Sequence, residues 1–268
     1  MMKNILLLVH DDSGQEARFQ AALDVTRAMD GHLSCVDIAL APAMNEDYFS
    51  PGLGPILMSE EIEQEQANRG RLEQRLASED VAWTSIEASG DPGEAMRRAA
   101  RLCDLIVVNS DLQKFPHPRL SEIAGELIVS SGKPVLAVPA DMRKLNPFGG
   151  ALVAWDGSRE AETALRAAVP LLAHASGVTL FEVEDGSVKL HAEAAAEYLS
   201  RHGIHAAIHR VTGVGTHPGD AILKAIGDMK PDYVVMGGFS RPRLIESMFG
   251  GVTRQLFDHS PVPLFLAH

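Results

Sequence analysis

The 268-residue chain carries 24 Lys and Arg residues against 36 Asp and Glu residues, so its formal net charge at pH 7 is -12. A surface with this charge opposes docking on nucleic-acid phosphates and on anionic lipid, both of which need a basic face. Hydrophobic residues make up 46% of the chain, which is enough for a buried core in one large domain or two small ones.

The N-terminal stretch MMKNILLLVHDD reaches acidic residues after a short apolar run, and it predicts a first β-strand rather than a signal peptide. No apolar run approaches the roughly 20 residues that a membrane span needs. Cys35 and Cys103 each lie in an apolar stretch, where a buried free thiol is the common outcome. These features favour a reducing, cytoplasmic compartment.

The second half of the chain repeats the pattern of the first half. Residues 4–38 and residues 150–183 each contain an apolar strand, an aspartate, a serine two residues later, an acidic alanine-rich helix, and a glycine before a second apolar strand. Similarity of this kind over a long period indicates two copies of one folding unit. The residues that align are Asp11 with Asp156, Ser13 with Ser158, and Gly31 with Gly177.

The similarity continues through residues 90–110 and 216–238. Each of these stretches opens a helix with Pro-Gly and an acidic residue, and each ends in a buried apolar strand. The polar, turn-rich stretch 141–149 is the predicted linker. We therefore predict one domain over residues 1–140 and a second domain over residues 150–268.

Each half alternates strands and helices, which predicts an α/β fold. The strands are continuously apolar and rich in β-branched residues, as expected for a parallel sheet that helices cover on both faces. The predicted architecture is two tandem, doubly wound, five-stranded parallel-sheet domains of Rossmann-like type. In such folds ligands bind at the carboxyl ends of the strands, where the winding reverses.

Residues 41–58 form an insert that only the first half contains, with three prolines and two glycines. We predict a loop here, because the second half passes from its second strand almost directly into a helix. The insert is either a lid or interface loop, or a surface excursion of the kind that proteins tolerate at little cost.

Two glycine pairs, Gly237-Gly238 and Gly250-Gly251, follow the fourth predicted strand of the second half. The second pair opens the last predicted helix, where free backbone amides and the helix dipole attract anions. Glycine also lets an anion approach the backbone closely. The stretch therefore predicts a polyphosphate site. The residues that could add a hydroxyl or a positive charge are Thr253, Arg241, Arg243 and Arg254.

With these features the chain resembles the universal stress protein family in its tandem two-domain form. Nucleotide-binding members carry Gly-x2-Gly-x9-Gly-Ser/Thr at this place, whereas this chain has Gly237-x2-Ser240-x9-Gly250-Gly251. Ser240 thus replaces a glycine, and Gly251 replaces a hydroxyl residue at a cost of about 1 kcal/mol of hydrogen bonding. The resemblance implies that the second half binds ATP, ADP or AMP, with or without magnesium.

The resemblance also implies which residues hold the nucleotide. An aspartate after the first strand helps to hold the adenosine, a residue at the end of the second strand lies beside the base, and the glycine loop holds the phosphates. Trp155 is expected to pack in the core or in the pocket wall rather than to flank the base. The implied nucleotide-binding residues are Ala154, Asp156, Val183, Met236, Gly237, Ser240, Arg241, Gly250, Gly251, Val252, Thr253 and Arg254.

The first half departs from this pattern, and we predict that it has no nucleotide site. Glu122 falls at a helix start, where it would repel phosphate. Asp11 is retained, but an aspartate after a strand is also a common helix N-cap. The substitutions relative to the second half are Asn109 for Gly237, Leu112 for Ser240, and Ser121-Glu122 for Gly250-Gly251.

Family members that bind ATP hydrolyse it slowly or not at all, so the resemblance implies a binding protein rather than a dedicated enzyme. Two alternatives stay open: a scaffold that acts through its surface or the 41–58 insert, and a slow hydrolase in which Asp156 positions a water. His205 and His209 do not predict a zinc site, because they would lie about 13 Å apart on a strand.

The resemblance further implies that the two final strands pair across a pseudo-dyad. These strands lie around residues 134–138 and 262–267. One chain would then imitate a dimer, and the sequence leaves open whether the chain also forms homodimers.

Overall fold

The computed structural model describes residues 1–38, 53–88, 92–110, 131–212, 217–238 and 251–268. The strands of the first half are β1 Asn4–Val9, β2 His32–Ile38, β3 Ala82–Ala88, β4 Leu105–Asn109 and β5 Val135–Val138. Those of the second half are β6 Gly150–Trp155, β7 Gly177–Glu184, β8 Ala206–Thr212, β9 Tyr233–Gly237 and β10 Leu264–Ala267. The helices in the described residues are α1 Gln15–Ala28, α2 Leu53–Leu76, α3 Pro92–Ala100, α4 Arg159–Leu172, α5 Ala192–Ser200, α6 Pro218–Met229 and α7 Gly251–His259. None of these helices has the length and apolar composition of a membrane span.

The strands form one ten-stranded sheet in the order β3-β2-β1-β4-β5-β10-β9-β6-β7-β8. Within each half the strands pair in parallel. The winding reverses between β1 and β4 in the first half and between β6 and β9 in the second half. The predicted doubly wound α/β architecture is thus confirmed in each half.

The two halves join through their last strands. β5 and β10 pair antiparallel, with Phe265 opposite Leu136 and Leu264 opposite Ala137. The prediction that these strands pair across the halves is confirmed. The two five-stranded sheets are therefore one continuous sheet, and the strands of the two halves run in opposite directions.

The core lies on both faces of the sheet, because successive residues of a strand point to opposite sides. In β1, Leu7 and Val9 belong to a buried cluster that includes residues of α1 and α4. Leu6 and Leu8 belong to a second cluster, which includes residues of α6 and α7. The continuous apolar sequence of the strands is thus explained by burial on two sides.

Helix α4 shows how the sequence sets a helix start beside the carboxyl end of β6. The Ser158 Oγ accepts a hydrogen bond from the Ala161 amide at 3.2 Å, and Glu160 in the first turn suits the positive end of the helix dipole. Buried residues recur every three or four positions, so one face of the helix packs on the sheet. These residues are Ala161, Ala164, Leu165, Ala168, Leu171 and Leu172.

Parts of two segments are more ordered in the structure than the sequence predicts. Residues 141–149 join β5 to β6, and they are docked on α1: Leu145 is buried, and its amide donates to the Asp24 carboxylate at 3.0 Å. The prediction of a loop over 41–58 is wrong in its last part, because α2 begins at Leu53. Residues 41–52 lie outside the described ranges.

Candidate functional site

A cavity of about 310 Å³ lies at the carboxyl ends of β6, β7 and β9. The winding of the second half reverses at this edge, which is the usual ligand position in doubly wound sheets. The volume falls at the lower end of the range of about 300–1,000 Å³ that is typical of small-molecule sites. Among the described residues, the cavity is lined by Ala154, Trp155, Asp156, Ser158, Glu160, Ala161, Phe181, Val183, Asp185, Ser187, Lys189, Pro218, Ile222, Met236, Gly237, Gly238, Gly251, Val252 and Thr253.

Part of the cavity wall is apolar. Phe181 and Val183 come from the end of β7, Met236 comes from β9, and Ile222 comes from α6. Phe181 is buried, and its ring stacks on the His209 ring of β8 with centroids 5.7 Å apart and an angle of 10° between the planes. Such a wall can accept the face of a flat ring system.

The starts of α4 and α7 lie at the cavity. Ser158 and Ala161 lie at the start of α4, and Gly251, Val252 and Thr253 form the first turn of α7. The first amides of a helix lack partners within the helix, and the dipole makes this end positive. This part of the cavity can therefore hold an anion through backbone amides.

Asp156 follows β6 and organises the turn into α4. Its Oδ1 accepts a hydrogen bond from the Ser158 amide at 2.9 Å. Its backbone carbonyl accepts a second hydrogen bond from the Lys189 amide at 2.8 Å. The side chain is exposed at the cavity rim, with one carboxylate oxygen committed to the turn.

Residues 185–190, which follow β7, form a lip over the turn between β6 and α4. The Trp155 Nε1 donates to the Leu190 carbonyl at 2.7 Å. Gly157 has a φ of +67°, and a Cβ on it would lie 2.2 Å from the Leu190 amide nitrogen. Only glycine suits this position, because it alone tolerates both the backbone angle and the close approach. Trp155 packs in the core and also lines the cavity, as predicted.

The lip contributes side chains that the sequence reasoning did not assign to the site. Asp185, Ser187 and Lys189 line the cavity, and Lys189 is the one basic residue in the described part of the lining. The Asp185 Oδ1 accepts hydrogen bonds from the Ser187 hydroxyl at 2.6 Å and from the Ser187 amide at 2.8 Å. These bonds lower the pKa of Asp185 and fix the lip's first turn. The only sequence signal for these residues was their place directly after the strand that ends near Val183.

Gly237 permits the start of α4 to pack on the end of β9. A Cβ at this position would lie 2.6 Å from the Ala161 amide nitrogen and 2.7 Å from the Glu160 carbonyl carbon. Non-bonded atoms do not approach so closely without displacement of the backbone. Close packing therefore accounts for this glycine without any ligand, although Gly237 also lines the cavity.

The predicted nucleotide-binding residues fall into three groups. Arg254 does not line the cavity; its side chain is exposed, and its Nε lies 3.8 Å from the Asp258 carboxylate one turn along α7. Ser240, Arg241 and Gly250 lie outside the described residues. The residues that the structure brings together at the cavity are Ala154, Asp156, Val183, Met236, Gly237, Gly251, Val252 and Thr253.

In the first half, side chains of the protein occupy the corresponding position. Asn109 ends β4 as Gly237 ends β9. The Asn109 Nδ2 donates to the carbonyls of Gly14 and Val138, each at 3.2 Å, and its Oδ1 accepts from the Arg18 guanidinium. A Cβ on Gly14 would lie 2.5 Å from the Asn109 Oδ1, so the asparagine packs directly against the start of α1.

Arg18 completes this buried network. Its guanidinium binds the Asp12 carboxylate at 2.9 and 2.8 Å and donates to the carbonyls of Leu8 and His10 at 3.2 Å each. Glu122 and Leu112 lie outside the described residues. The network of Arg18 and Asn109 is a physical reason to expect no nucleotide in the first half.

The alignment of Asp11 with Asp156 is wrong, because the turn after β1 is longer than the turn after β6. Asp12 makes the hydrogen bond that corresponds to that of Asp156. In each case the carboxylate accepts from the amide two residues ahead, at 2.7 Å in the first half and at 2.9 Å in the second half. Asp11 instead pairs with Arg71 of α2 at 3.1 Å.

A second buried polar cluster lies at the carboxyl ends of β1 and β2. His10 Nδ1 lies 2.7 Å from Glu65 Oε1, and both side chains are buried. Asp37 is also buried; Arg69 lies 3.8 Å from one of its carboxylate oxygens, and the other has no hydrogen-bond partner among the described residues. Burial raises the pKa of Asp37 to about 6, with a further contribution from the charge of Glu65.

Replacing Asp37 with asparagine is expected to stabilise the protein by up to about 3 kcal/mol at pH 7 and to have little effect at pH 4. The pKa of Asp37 is raised on folding, so the folded state binds more protons than the unfolded state between about pH 4 and about pH 6. The free energy of unfolding therefore falls as pH rises through this window. Asparagine does not titrate, so the variant lacks this pH dependence. Urea unfolding of both proteins across the window measures the difference; parallel pH profiles would contradict the assignment.

Comparison with known proteins finds a sequence match over most of the second half of the chain. The sequence model of the universal stress protein family matches residues 181–268. This segment contains the end of β7, the strand β9 and the helix α7, and it begins after Asp156. A search of curated protein sequences finds no match to the chain.

Solved structures share the fold over the whole chain. A universal stress protein from Archaeoglobus fulgidus DSM 4304 is 19% identical, with 99% of this chain and 96% of that chain covered and a TM-score of 0.79. A functionally unknown protein from Pseudomonas aeruginosa PAO1 is 14% identical, with 99% and 92% covered and a TM-score of 0.56. A universal stress protein family protein from Arabidopsis thaliana, solved with AMP bound, is 15% identical over 44% of this chain and 90% of that chain, with a TM-score of 0.32; the AMP is a property of that protein. Residues 181–268 therefore match the sequence model of the universal stress protein family, and the whole chain has the tandem two-domain fold of a solved universal stress protein.

Proposed function

We propose that the protein binds ATP or a related adenine nucleotide in the cavity of its second half and acts as a cytoplasmic stress-response regulator. The observation that carries the proposal is a cavity in which an apolar wall meets the N-termini of α4 and α7. A nucleotide has the two matching ends, a flat aromatic base and an anionic phosphate chain. The family whose sequence model matches residues 181–268 supports the role in stress response.

The two ends of the nucleotide have different places in this proposal. The base lies against Phe181 and Val183, where burial of apolar surface favours binding. The ribose lies beside Asp156, whose second carboxylate oxygen is not used in the bond to Ser158. The phosphates lie against the first turn of α7, where the backbone amides and the Thr253 hydroxyl can donate to them.

We propose a binding role rather than a dedicated hydrolytic role. One oxygen of Asp156 shapes the turn into α4, which restrains this side chain from acting as a free base. Asp185, the carboxylate on the lip, is a weakened base because its hydrogen bonds to Ser187 lower its pKa. The hydrogen bonds of Asp156 and Asp185 thus oppose proton transfer by these two carboxylates.

The state of the two cysteines supports the proposed compartment. Cys35 and Cys103 are free and buried. Burial raises the pKa of Cys103 to about 11 and that of Cys35 to about 12, so both thiols stay protonated and unreactive at neutral pH. A protein with unpaired core thiols is suited to reducing conditions.

Replacing Gly251 with glutamate is expected to weaken ATP binding at least about tenfold, because it places a negative charge beside the phosphates. Gly251 lines the cavity and is the first residue of α7. Folding should be preserved, since an acidic residue in the first turn of a helix is favourable. Isothermal titration calorimetry with ATP, ADP and AMP measures the affinities of the parent and the variant.

Gly227→Glu is the matched control for this experiment. Gly227 lies in α6, is exposed, and a Cβ on it would meet nothing within 4 Å. The control adds the same charge away from the cavity, so its affinity should equal that of the parent. The proposal is refuted if the parent binds none of the three nucleotides.

A further inference from the structure

We propose that α2 is a pH-sensitive cover of the first half of the sheet, which docks firmly when Asp37 of β2 is protonated and opens locally when Asp37 is ionised. The side chain of Asp37 is only 7% exposed. Its Oδ1 has no hydrogen-bond partner among the described residues, and its Oδ2 lies 3.8 Å from the Arg69 guanidinium of α2, too far for a hydrogen bond. A buried carboxylate with so few partners is costly in its charged form.

The second half has an acid at the same position, and there both oxygens are bound. Asp37 and Glu182 each pair in register with the last residue of the neighbouring strand, β1 or β6. The Glu182 carboxylate accepts from the Arg210 guanidinium at 2.6 Å and from the Ala192 amide at 2.7 Å. Burial raises the pKa of Glu182, but these hydrogen bonds outweigh it, and the net shift is downward. Asp37 lacks such bonds, so the two halves differ in the state of this acid.

The charged groups around Asp37 come from three elements packed against it. Glu65 and Arg69 belong to α2, Glu87 belongs to β3, and His10 follows β1. Burial raises the pKa of Asp37 to about 6, and the charges of Glu65 and Glu87 add to this rise, whereas Arg69 and His10 oppose it. Arg69 is also shared with Glu87, at 3.0 Å, so its charge compensates Asp37 only in part.

Opening of α2 would expose apolar surface on one face of the sheet. Leu72 and Leu76 of α2 are buried in the same cluster as Cys35 of β2. Cys35 and Asp37 are two residues apart in this strand, so they lie on the same face. Cys103 belongs to the second cluster, on the opposite face. The chain thus has one thiol beneath α2 and one thiol away from it.

The direction of the pH effect follows from where the proton is held. The docked helix keeps Asp37 protonated up to about pH 6, whereas water around an opened helix lets it ionise from about pH 4. Opening therefore releases a proton, and the open population grows as pH rises between these two values. Between about pH 4.5 and about pH 7 we expect it to grow about twentyfold. Acidification thus tightens the cover.

The two native cysteines can report this opening in the full chain. A pyridyl disulfide reacts with exposed thiols even at acidic pH, and mass spectrometry of peptides gives the rates at Cys35 and Cys103 separately. Each rate is divided by that of a free thiol at the same pH. We expect the ratio of the Cys35 rate to the Cys103 rate to rise about twentyfold over the range given above. Global unfolding exposes both thiols together and leaves the ratio unchanged, so a flat ratio in the parent would overturn the proposal.

Two variants and a control tie the effect to Asp37. Asp37→Asn cannot ionise, so its ratio should stay flat; a rise equal to that of the parent would also overturn the proposal. Asp228→Asn removes an exposed acid of α6 and should behave like the parent. Arg69→Met removes the nearest cation, so its ratio should rise more steeply than that of the parent. If Asp37→Asn does not fold, Arg69→Met decides, and a rise no steeper than that of the parent refutes the role of Asp37.

Discussion

Replacing Arg18 with methionine is expected to lower the free energy of unfolding by about 3–5 kcal/mol, the typical cost of breaking a buried ion pair from one side. The Arg18 guanidinium is fully buried and bonds the Asp12 carboxylate, the Asn109 side chain and two backbone carbonyls. Methionine is also long and flexible, but it makes none of these bonds. The Asp12 carboxylate would remain buried without its main partner.

Urea unfolding measures this effect, and two further variants make it specific. Arg166→Met removes an exposed arginine that pairs with Glu162 one turn away in α4, and we expect it to cost at most about 1 kcal/mol. Adding Asp12→Asn to Arg18→Met removes the orphaned charge and should restore part of the stability. If Arg18→Met costs no more than Arg166→Met, the buried network does not stabilise the first half.

Replacing Gly237 with alanine is expected to lower the free energy of unfolding by about 2–3 kcal/mol, in the upper part of the range for overpacking. The new methyl carbon would lie 2.6 Å from the Ala161 amide nitrogen and 2.7 Å from the Glu160 carbonyl carbon. Both are backbone atoms, which cannot rotate away as the end of a side chain can. Either α4 or the end of β9 must shift, and the cavity between them changes shape. ATP binding should therefore weaken along with stability.

Gly177→Ala is the control for the effect of a methyl group on a strand glycine. Gly177 begins β7 and is exposed, and a Cβ there would meet nothing within 4 Å. We expect this variant to be neutral or up to about 1 kcal/mol more stable, since alanine restricts the unfolded chain. Urea and thermal unfolding compare the two variants. Equal stabilities would show that close packing is not the reason for glycine at position 237.

Much of the fold could be predicted from the sequence because the strands carry a strong local signal. The run Leu105 to Val108 in β4 is apolar at every position and fully buried, as a strand between two helical layers must be. The internal repeat gives this signal twice. The turn after β1 could not be predicted to the residue, since Asp11 and Asp12 are adjacent aspartates and only their contacts show which of them shapes the turn.

The candidate site could be predicted where its residues lie at the end of a strand or directly after one. Asp156, Val183 and Gly237 are such residues, and the structure brings them to one cavity. The lip of residues 185–190 could not be predicted, because its path depends on tertiary contacts to Trp155 and Gly157.

The antiparallel pairing of β5 and β10 reverses the strand direction between the two halves of the sheet. The carboxyl ends of the strands therefore lie at opposite edges of the sheet in the two halves. The cavity opens at one of these edges, whereas the side chains of Asn109 and Arg18 fill the corresponding position at the other. Four strands, β4, β5, β10 and β9, separate the two reversal points, a distance of about 19 Å across the sheet. A nucleotide at one edge cannot touch a partner docked at the other edge. A signal between them would have to travel as a change in twist or spacing of those four central strands.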